Sequence, residues 1–128
     1  MPNRERVAAL IALVEEGMLI DALHEFYDEN AQARDNLDPP LQGRQRLIAN
    51  AQHLLRSVRG LRVRALDWVL DGEQTRIRWR YEFTGHDGRR SSQEEVARQR
   101  WSGDRIVEEH SQYEPAQQPL VASTLQAA

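Results

Sequence analysis

Two neighbouring titratable residues near the end of the chain, Glu109 and His110, are candidates for acid or base chemistry. The alternation of a predicted strand turns Glu109 inward, where an unpaired carboxylate is costly and therefore suited to proton transfer. A bulge of one residue would reverse the alternation and put His110, whose imidazole titrates near neutrality, in that place. A lone histidine on a strand is more often at a surface or dimer interface, so the alternation favours Glu109.

Aromatic and polar residues on the inward side of the predicted strands form a candidate ligand pocket. Apolar walls with a few polar groups are typical of small-molecule sites. Asn50, on a predicted helix, either donates a hydrogen bond to a ligand carbonyl or is solvated. Trp101 and Phe83 follow the same alternation but are predicted to belong to the core. The predicted pocket residues are Asn50, Trp79, Tyr81, Gln99 and Tyr113.

Metal and thiol chemistry have little support in this sequence. The four histidines, His24, His53, His86 and His110, are not paired with acidic residues at a helical ligand spacing, so no metal site is predicted. The chain has no cysteine, which excludes disulfides, thiolate ligands and cysteine nucleophiles. No cofactor is expected.

Helices are predicted in the first half of the chain. Apolar residues at helical spacing run from Val7 to Val14, and Gly17 ends that helix. A second helix is predicted from Leu19 to near Asn30. The proline-containing segment 36–40 is predicted to be a loop, and a third helix begins at Gly43 and ends before residue 60.

Strands are predicted after the third helix, because apolar residues there recur at every second position and no longer at helical spacing. The alternation shifts phase between Ala65 and Leu66, which predicts a β-bulge that bends the sheet. Hairpin signals at residues 71–72, 85–88 and 102–104 separate four strands in a meander. The predicted class is α+β, with three N-terminal helices on a strongly curved antiparallel sheet that encloses a pocket. Residues 1–114 are predicted to form a single domain and residues 115–128 a loosely ordered tail.

Four segments of the chain carry a family resemblance: residues 22–31, Arg34-Asp35, residues 39–44 and the hairpin 100–109. They resemble the nuclear transport factor 2-like superfamily of cone-shaped α+β folds, in particular its SnoaL-like and ketosteroid-isomerase-like members. The resemblance covers residues 5–114 and implies that Asp35 occupies the place of the proton-shuttling carboxylate. A partly apolar pocket would raise its pKa toward useful basicity. Alternatively, Asp35 binds backbone donors or Arg34 at the edge of the loop.

Departures from the family narrow the predicted chemistry. The resemblance implies that the oxyanion donors of ketosteroid isomerases correspond to Leu10, Ala51 and Ala97, which are apolar, so steroid isomerase activity is not predicted. The two-aspartate signature of limonene-epoxide-hydrolase-type enzymes is also missing, since residues 98–100 read Arg-Gln-Arg. SnoaL-like cyclases use one acid/base for an intramolecular aldol closure, so a cyclase activity of this kind stays among the predicted activities.

The sequence therefore predicts a SnoaL-like protein that binds a small apolar molecule. One alternative is a lyase, isomerase or cyclase that uses Asp35 as acid/base on a carbonyl compound. The other is a non-catalytic ligand-binding or dimerisation domain of the same fold.

Charge and hydropathy bear on the predicted partners and location. Basic and acidic residues, 17 and 20 in number, are mixed along the chain, which argues against a nucleic-acid surface. The longest nearly apolar stretch, residues 7–14, is shorter than the roughly 20 residues that span a bilayer, and no signal-peptide pattern precedes it. A cytoplasmic protein without a membrane partner is predicted. Relatives pair through the outer sheet face, so a homodimer is predicted there, where these residues lie: Arg76, Arg78, Arg80, Arg98 and Arg100.

Overall fold

The computed structural model describes residues 1–113 as three helices and six strands. The elements are α1 (Arg4–Glu15), α2 (Leu19–Phe26), β1 (Tyr27–Asp35), β2 (Leu41–Gln42), α3 (Arg44–Ser57), β3 (Gly60–Asp71), β4 (Gln74–Thr84), β5 (Arg90–Ser102) and β6 (Arg105–Tyr113). The predicted tail, residues 115–128, lies outside the described residues. The predicted α+β class, with helices packed on a mostly antiparallel curved sheet, is confirmed.

A capping side chain and two glycines determine where α1 begins and ends and where α3 begins. The side chain of Asn3 caps α1 by accepting a hydrogen bond from the Arg6 amide at 2.8 Å. Gly17, with φ of 84°, takes the left-handed conformation that ends the helix. Gly43 precedes α3 with φ of 93°, and its amide donates a hydrogen bond to Ala31 of β1 at 2.7 Å. This backbone contact places α3 beside the first strand.

The second helix is shorter than predicted, and a strand takes its place. The prediction of helix to near Asn30 is wrong, because α2 ends at Phe26 and β1 starts at Tyr27. Tyr27 and Ala31 are buried four residues apart, which fits helical spacing as well as a bulged strand. Pairing with the backbone of β6 decides the outcome, and the register shifts between Tyr27 and Gln32.

The sheet has the strand order β2-β1-β6-β5-β4-β3. The predicted meander from β3 to β6 is confirmed, as is the bulge in β3, where the register shifts between Ala65 and Asp67. The sequence did not predict the parallel pairing of β1 with β6, in which Asp35 lies opposite Ser111. Side chains from α1, α2 and the sheet fill a common core that includes Val7, Leu10, Phe26, Ile77, Trp101 and Ile106.

Candidate functional site

A cavity of about 530 Å³ lies between the helices and the inner face of the sheet. Its size falls in the range of small-molecule sites. Leu10 and Leu47 contribute apolar walls from the helices, and Trp79, Tyr81 and Phe83 contribute aromatic walls from β4. Three carboxyl groups also line it, from β1, β5 and β6: Asp35, Glu95 and Glu109.

Asp35 is the last residue of β1, and backbone contacts around the following residue hold it in place. Asn36 has φ of 48°, its amide donates to the Ser111 carbonyl at 2.8 Å, and its side-chain oxygen accepts from the Tyr113 amide at 3.0 Å. Burial raises the pKa of Asp35 to about 6, and the charges of Glu109 and Asp38 add to the effect. Asp35 is therefore mainly ionised at neutral pH and can accept a proton.

Glu95 is a site residue that sequence reasoning missed. It lies on β5 opposite Trp79 and lines the cavity. Burial, together with the charges of Asp35 and Glu109, raises its pKa to about 8, although the hydrogen bond with the Tyr81 hydroxyl acts in the opposite direction. At neutral pH Glu95 is therefore mainly protonated, and it can donate a hydrogen bond.

Glu109 accepts two short hydrogen bonds on a single oxygen. The Tyr27 hydroxyl and the Gln99 side-chain amide each donate to Oε2 at 2.6 Å. Burial raises the pKa of Glu109, whereas these two donors oppose the rise by stabilising the ionised form. The contacts therefore orient the carboxyl group toward β1 and β5.

A buried chain of hydrogen bonds fixes which way the Gln99 amide faces. The Trp101 indole donates to the Thr75 hydroxyl at 2.9 Å, and this hydroxyl donates to Gln99 Oε1 at 2.7 Å. An indole N–H can only donate, so the Thr75 oxygen accepts from it and the hydroxyl hydrogen stays available for Gln99 Oε1. The NH₂ group of Gln99 is thereby left to face Glu109.

Several polar atoms around the cavity have no hydrogen-bond partner among residues 1–113. They include Asn50 Oδ1, Gln93 Oε1 and the Tyr113 hydroxyl oxygen, all of which are buried. Asn50 and Gln93 line the cavity, whereas Tyr113 is buried beside it. Burial raises the pKa of Tyr81 well above its usual value, so its hydroxyl keeps its proton. The site thus offers hydrogen-bonding groups that the described protein does not use.

The structure brings together most of the residues predicted from the sequence. Asp35, Glu109 and the predicted pocket residues apart from Tyr113 line the cavity: Asn50, Trp79, Tyr81 and Gln99. His110 does not line it, because β6 turns Glu109 and Ser111 inward and His110 to the opposite face. Its Nε2 instead lies 2.8 Å from the carbonyl oxygen of Asn36. The proposal that His110 replaces Glu109 in the cavity is therefore wrong.

The three positions that the resemblance assigns to the oxyanion donors of ketosteroid isomerases carry apolar side chains, which donate no hydrogen bond. Leu10 and Ala51 line the cavity, and Ala97 is fully buried on β5, two residues from Glu95.

Within residues 1–113, no three histidine, aspartate or glutamate side chains are grouped closely enough to hold a metal ion. No helix in that part of the chain is long and apolar enough to cross a bilayer.

A family model for the SnoaL-like domain matches residues 7–109, which is most of the chain. The chain belongs to the SnoaL-like family. A search of curated proteins found no match. The SnoaL-like assignment therefore depends on the family model, and the comparisons with solved structures bear on the fold.

Solved structures share the fold at low sequence identity. A protein named as a SnoaL-like polyketide cyclase from Mesorhizobium loti is 19% identical, with 87% of this chain and 98% of that chain covered and a TM-score of 0.72. TerC, crystallised with polyporic acid, is 12% identical, with 96% and 99% covered and a TM-score of 0.80. A protein of ketosteroid-isomerase-like fold from Catenulispora acidiphila, in complex with trimethylamine, is 17% identical, with 94% and 97% covered and a TM-score of 0.76.

Proposed function

We propose that this SnoaL-like protein is an acid/base enzyme of the lyase, isomerase or cyclase type that acts on a small apolar carbonyl compound. The observation that carries the proposal is that Asp35 and Glu95 line one cavity, whose surroundings raise the pKa of Asp35 to about 6 and that of Glu95 to about 8. Two carboxyl groups whose pKa values are separated by their surroundings can serve as base and acid in the same reaction. The bound ligands of TerC and of the Catenulispora protein support small-molecule binding by this fold.

The mechanism assigns one proton-transfer role to each carboxyl group. The Asp35 carboxylate removes a proton from the carbon next to the substrate carbonyl, and the electrons of the broken C–H bond move to the carbonyl oxygen. Glu95, in its neutral form, donates a hydrogen bond to that oxygen as negative charge develops. Glu95 thereby supplies the donor that is missing at Leu10, Ala51 and Ala97.

The proton held by Asp35 then has two destinations. Its return to a different carbon of the enolate completes an isomerisation. In a cyclisation, the enolate carbon instead attacks a second carbonyl of the same molecule, and the proton goes to the alkoxide formed.

The test is exchange of hydrogen for deuterium next to the carbonyl of small aryl ketones in D₂O, followed by NMR. The expected result is exchange above the buffer rate that falls by roughly a hundredfold or more in Asp35→Asn. Asp38→Asn is the matched control, because Asp38 lines the same cavity but is exposed. Ligand-induced shifts without any exchange would favour the non-catalytic binding domain.

We also propose that the protein is a cytoplasmic homodimer that pairs through the outer face of the sheet. Arginines on this face form ion pairs within the chain: Arg78 with Asp67 at 2.8 Å and Arg100 with Glu108 at 2.6 Å. Such neutralised pairs lower the repulsion between two copies of the face. Light scattering coupled to size-exclusion chromatography tests this proposal, and a monomeric mass at high micromolar concentration contradicts it.

A further inference from the structure

We infer that the preferred ligand of the cavity carries a protonated amine, whose ammonium group binds at Asp35 and Glu109 on the adjacent strands β1 and β6. This inference concerns the same cavity as the proposed function and adds a class of substrate to it, a carbonyl compound with a basic nitrogen. It rests on the proposed function for the carbonyl part only. The ammonium site follows from contacts that do not depend on catalysis.

The charge of the cavity lining is unbalanced. Three inward carboxyl groups lie on neighbouring strands, since β1 pairs with β6 and β6 pairs with β5. The basic residues of the lining are Arg34 and Arg46, and both are exposed. Glu95 is neutral and adds no charge, but water screens exposed charges strongly, so these arginines compensate the inward carboxylates of β1 and β6 poorly. A ligand that brings a positive charge into the cavity would balance them.

The unused hydrogen-bonding groups of the cavity include several acceptors. Glu109 receives both of its donors on Oε2, and Oε1 has no donor within the part of the chain that the structure describes. Gln93 is only 2% exposed, lines the cavity, and has a buried Oε1 without a partner. A buried acceptor without a donor is unfavourable, so it favours a ligand that supplies hydrogen. An ammonium group at Glu109 supplies N–H donors to Oε1, whereas Gln93, six residues along β5 from Gln99, is an acceptor for another polar group of the ligand.

Aromatic side chains of the same cavity favour a cation over a neutral donor. Trp79 and Tyr81 lie on β4, and Trp79 lies opposite Glu95 on β5. Aromatic faces attract cations through the ring quadrupole, most strongly where water is excluded. A neutral alcohol would satisfy the acceptors but would gain neither this attraction nor the attraction of the carboxylates.

The experiment compares phenethylamine with phenethyl alcohol, which have similar shapes and differ in charge at neutral pH. NMR titration of the wild-type protein should show the amine binding at least about tenfold more tightly. Glu109→Gln should weaken amine binding by roughly tenfold and leave alcohol binding unchanged. Glu108→Gln is the matched control, because Glu108 precedes Glu109 on β6 but is paired with the exposed Arg100. It should change neither affinity.

Three results would overturn the inference. The alcohol could bind as tightly as the amine, Glu109→Gln could keep the full preference, or Mg²⁺ could displace the amine at millimolar concentration. If Glu109→Gln does not fold, Asp35→Asn is used in its place, with the same loss of preference expected. An amine preference without ketone exchange overturns the proposed catalysis alone, and exchange without an amine preference overturns this inference alone.

Discussion

The Tyr27 hydroxyl donates a hydrogen bond of 2.6 Å to Oε2 of Glu109. Tyr27 is the first residue of β1 and Glu109 belongs to β6, so the contact joins the first and the last described strands in chain order. Tyr27 is 7% exposed, and burial together with the Glu109 charge raises the pKa of its hydroxyl well above the usual value. Tyr27 therefore remains a donor throughout the accessible pH range.

Tyr27→Phe should destabilise the protein and raise the pKa of Glu109 further, because the carboxylate loses one of two donors. The expected loss is about 1–3 kcal/mol in the free energy of unfolding. Urea unfolding and ¹³C titration of the Glu109 carboxyl group measure the two effects. Tyr113→Phe is the control, since the Tyr113 hydroxyl oxygen has no partner among residues 1–113 and its removal breaks no such bond. Equal losses in both variants would contradict the assigned role of Tyr27.

Thr75→Val should destabilise the protein by removing the middle of the hydrogen-bond chain. The Trp101 indole and Gln99 Oε1 would both lose their partner, at a cost of about 1–3 kcal/mol for each buried group left unsatisfied. Thermal unfolding measures the loss, and Thr84→Val near the other end of β4 is the control. The Gln99 side chain would keep only its hydrogen bond to Glu109, and ¹⁵N relaxation of its NH₂ group would detect the motion gained. An unchanged melting temperature would show that the chain contributes little.

A plot of the rate of hydrogen–deuterium exchange in the ketone against pH should be bell-shaped. Activity rises as the pH passes about 6, where Asp35 ionises, and falls as the pH passes about 8, where Glu95 loses its proton. Glu95→Gln keeps a donor that does not titrate, so the alkaline limb should flatten. Initial rates across the pH range check both limbs. A profile without an alkaline limb in the wild-type protein would argue against Glu95 as the donor.

Stability should fall as the pH rises from about 4 to about 8. Burial raises the folded-state pKa of Asp35 from 3.8 to about 6 and that of Glu95 from 4.5 to about 8. The folded state therefore binds more protons than the unfolded state in this window, and stability decreases as they are released. Glu95→Gln should remove the decrease between about pH 6 and 8. Urea midpoints across the pH range measure it, and rising midpoints would contradict the assignment.

The sequence alone was enough to predict those helices and strands whose type depends on one local pattern of apolar residues. Period-two alternation in β4 and the phase shift at Leu66 predicted the strand and the bulge, because both depend on local side-chain order. The stretch from Tyr27 to Asp35 is different, since its buried residues fit a helix or a bulged strand. Pairing with β6, far along the chain, decides between the two, and no local pattern reports it.

The missed site residue had a signal in the sequence. Gln99 was predicted to face inward, and steps of two along the same strand lead to Ala97, Glu95 and Gln93. The neighbouring Glu94 is exposed and pairs with Arg80 at 3.4 Å, so the two adjacent glutamates face opposite sides of the sheet. The short bonds on Glu109 could not be predicted in this way, because their geometry depends on three strands at once.

The parallel pairing of β1 with β6 also determines when the cavity can exist during folding. Asp35 and Glu109 are distant in the sequence and become neighbours only after β6 has inserted between β1 and β5. Contacts between distant segments form slowly, because closing a long loop costs entropy before the contacts contribute any favourable free energy. During synthesis, a ribosome-bound chain that lacks β6 would not yet have Glu109 beside Asp35, so a ligand that depends on both carboxyl groups could not guide the early steps of folding. Ligand binding would instead stabilise the finished domain by slowing its unfolding.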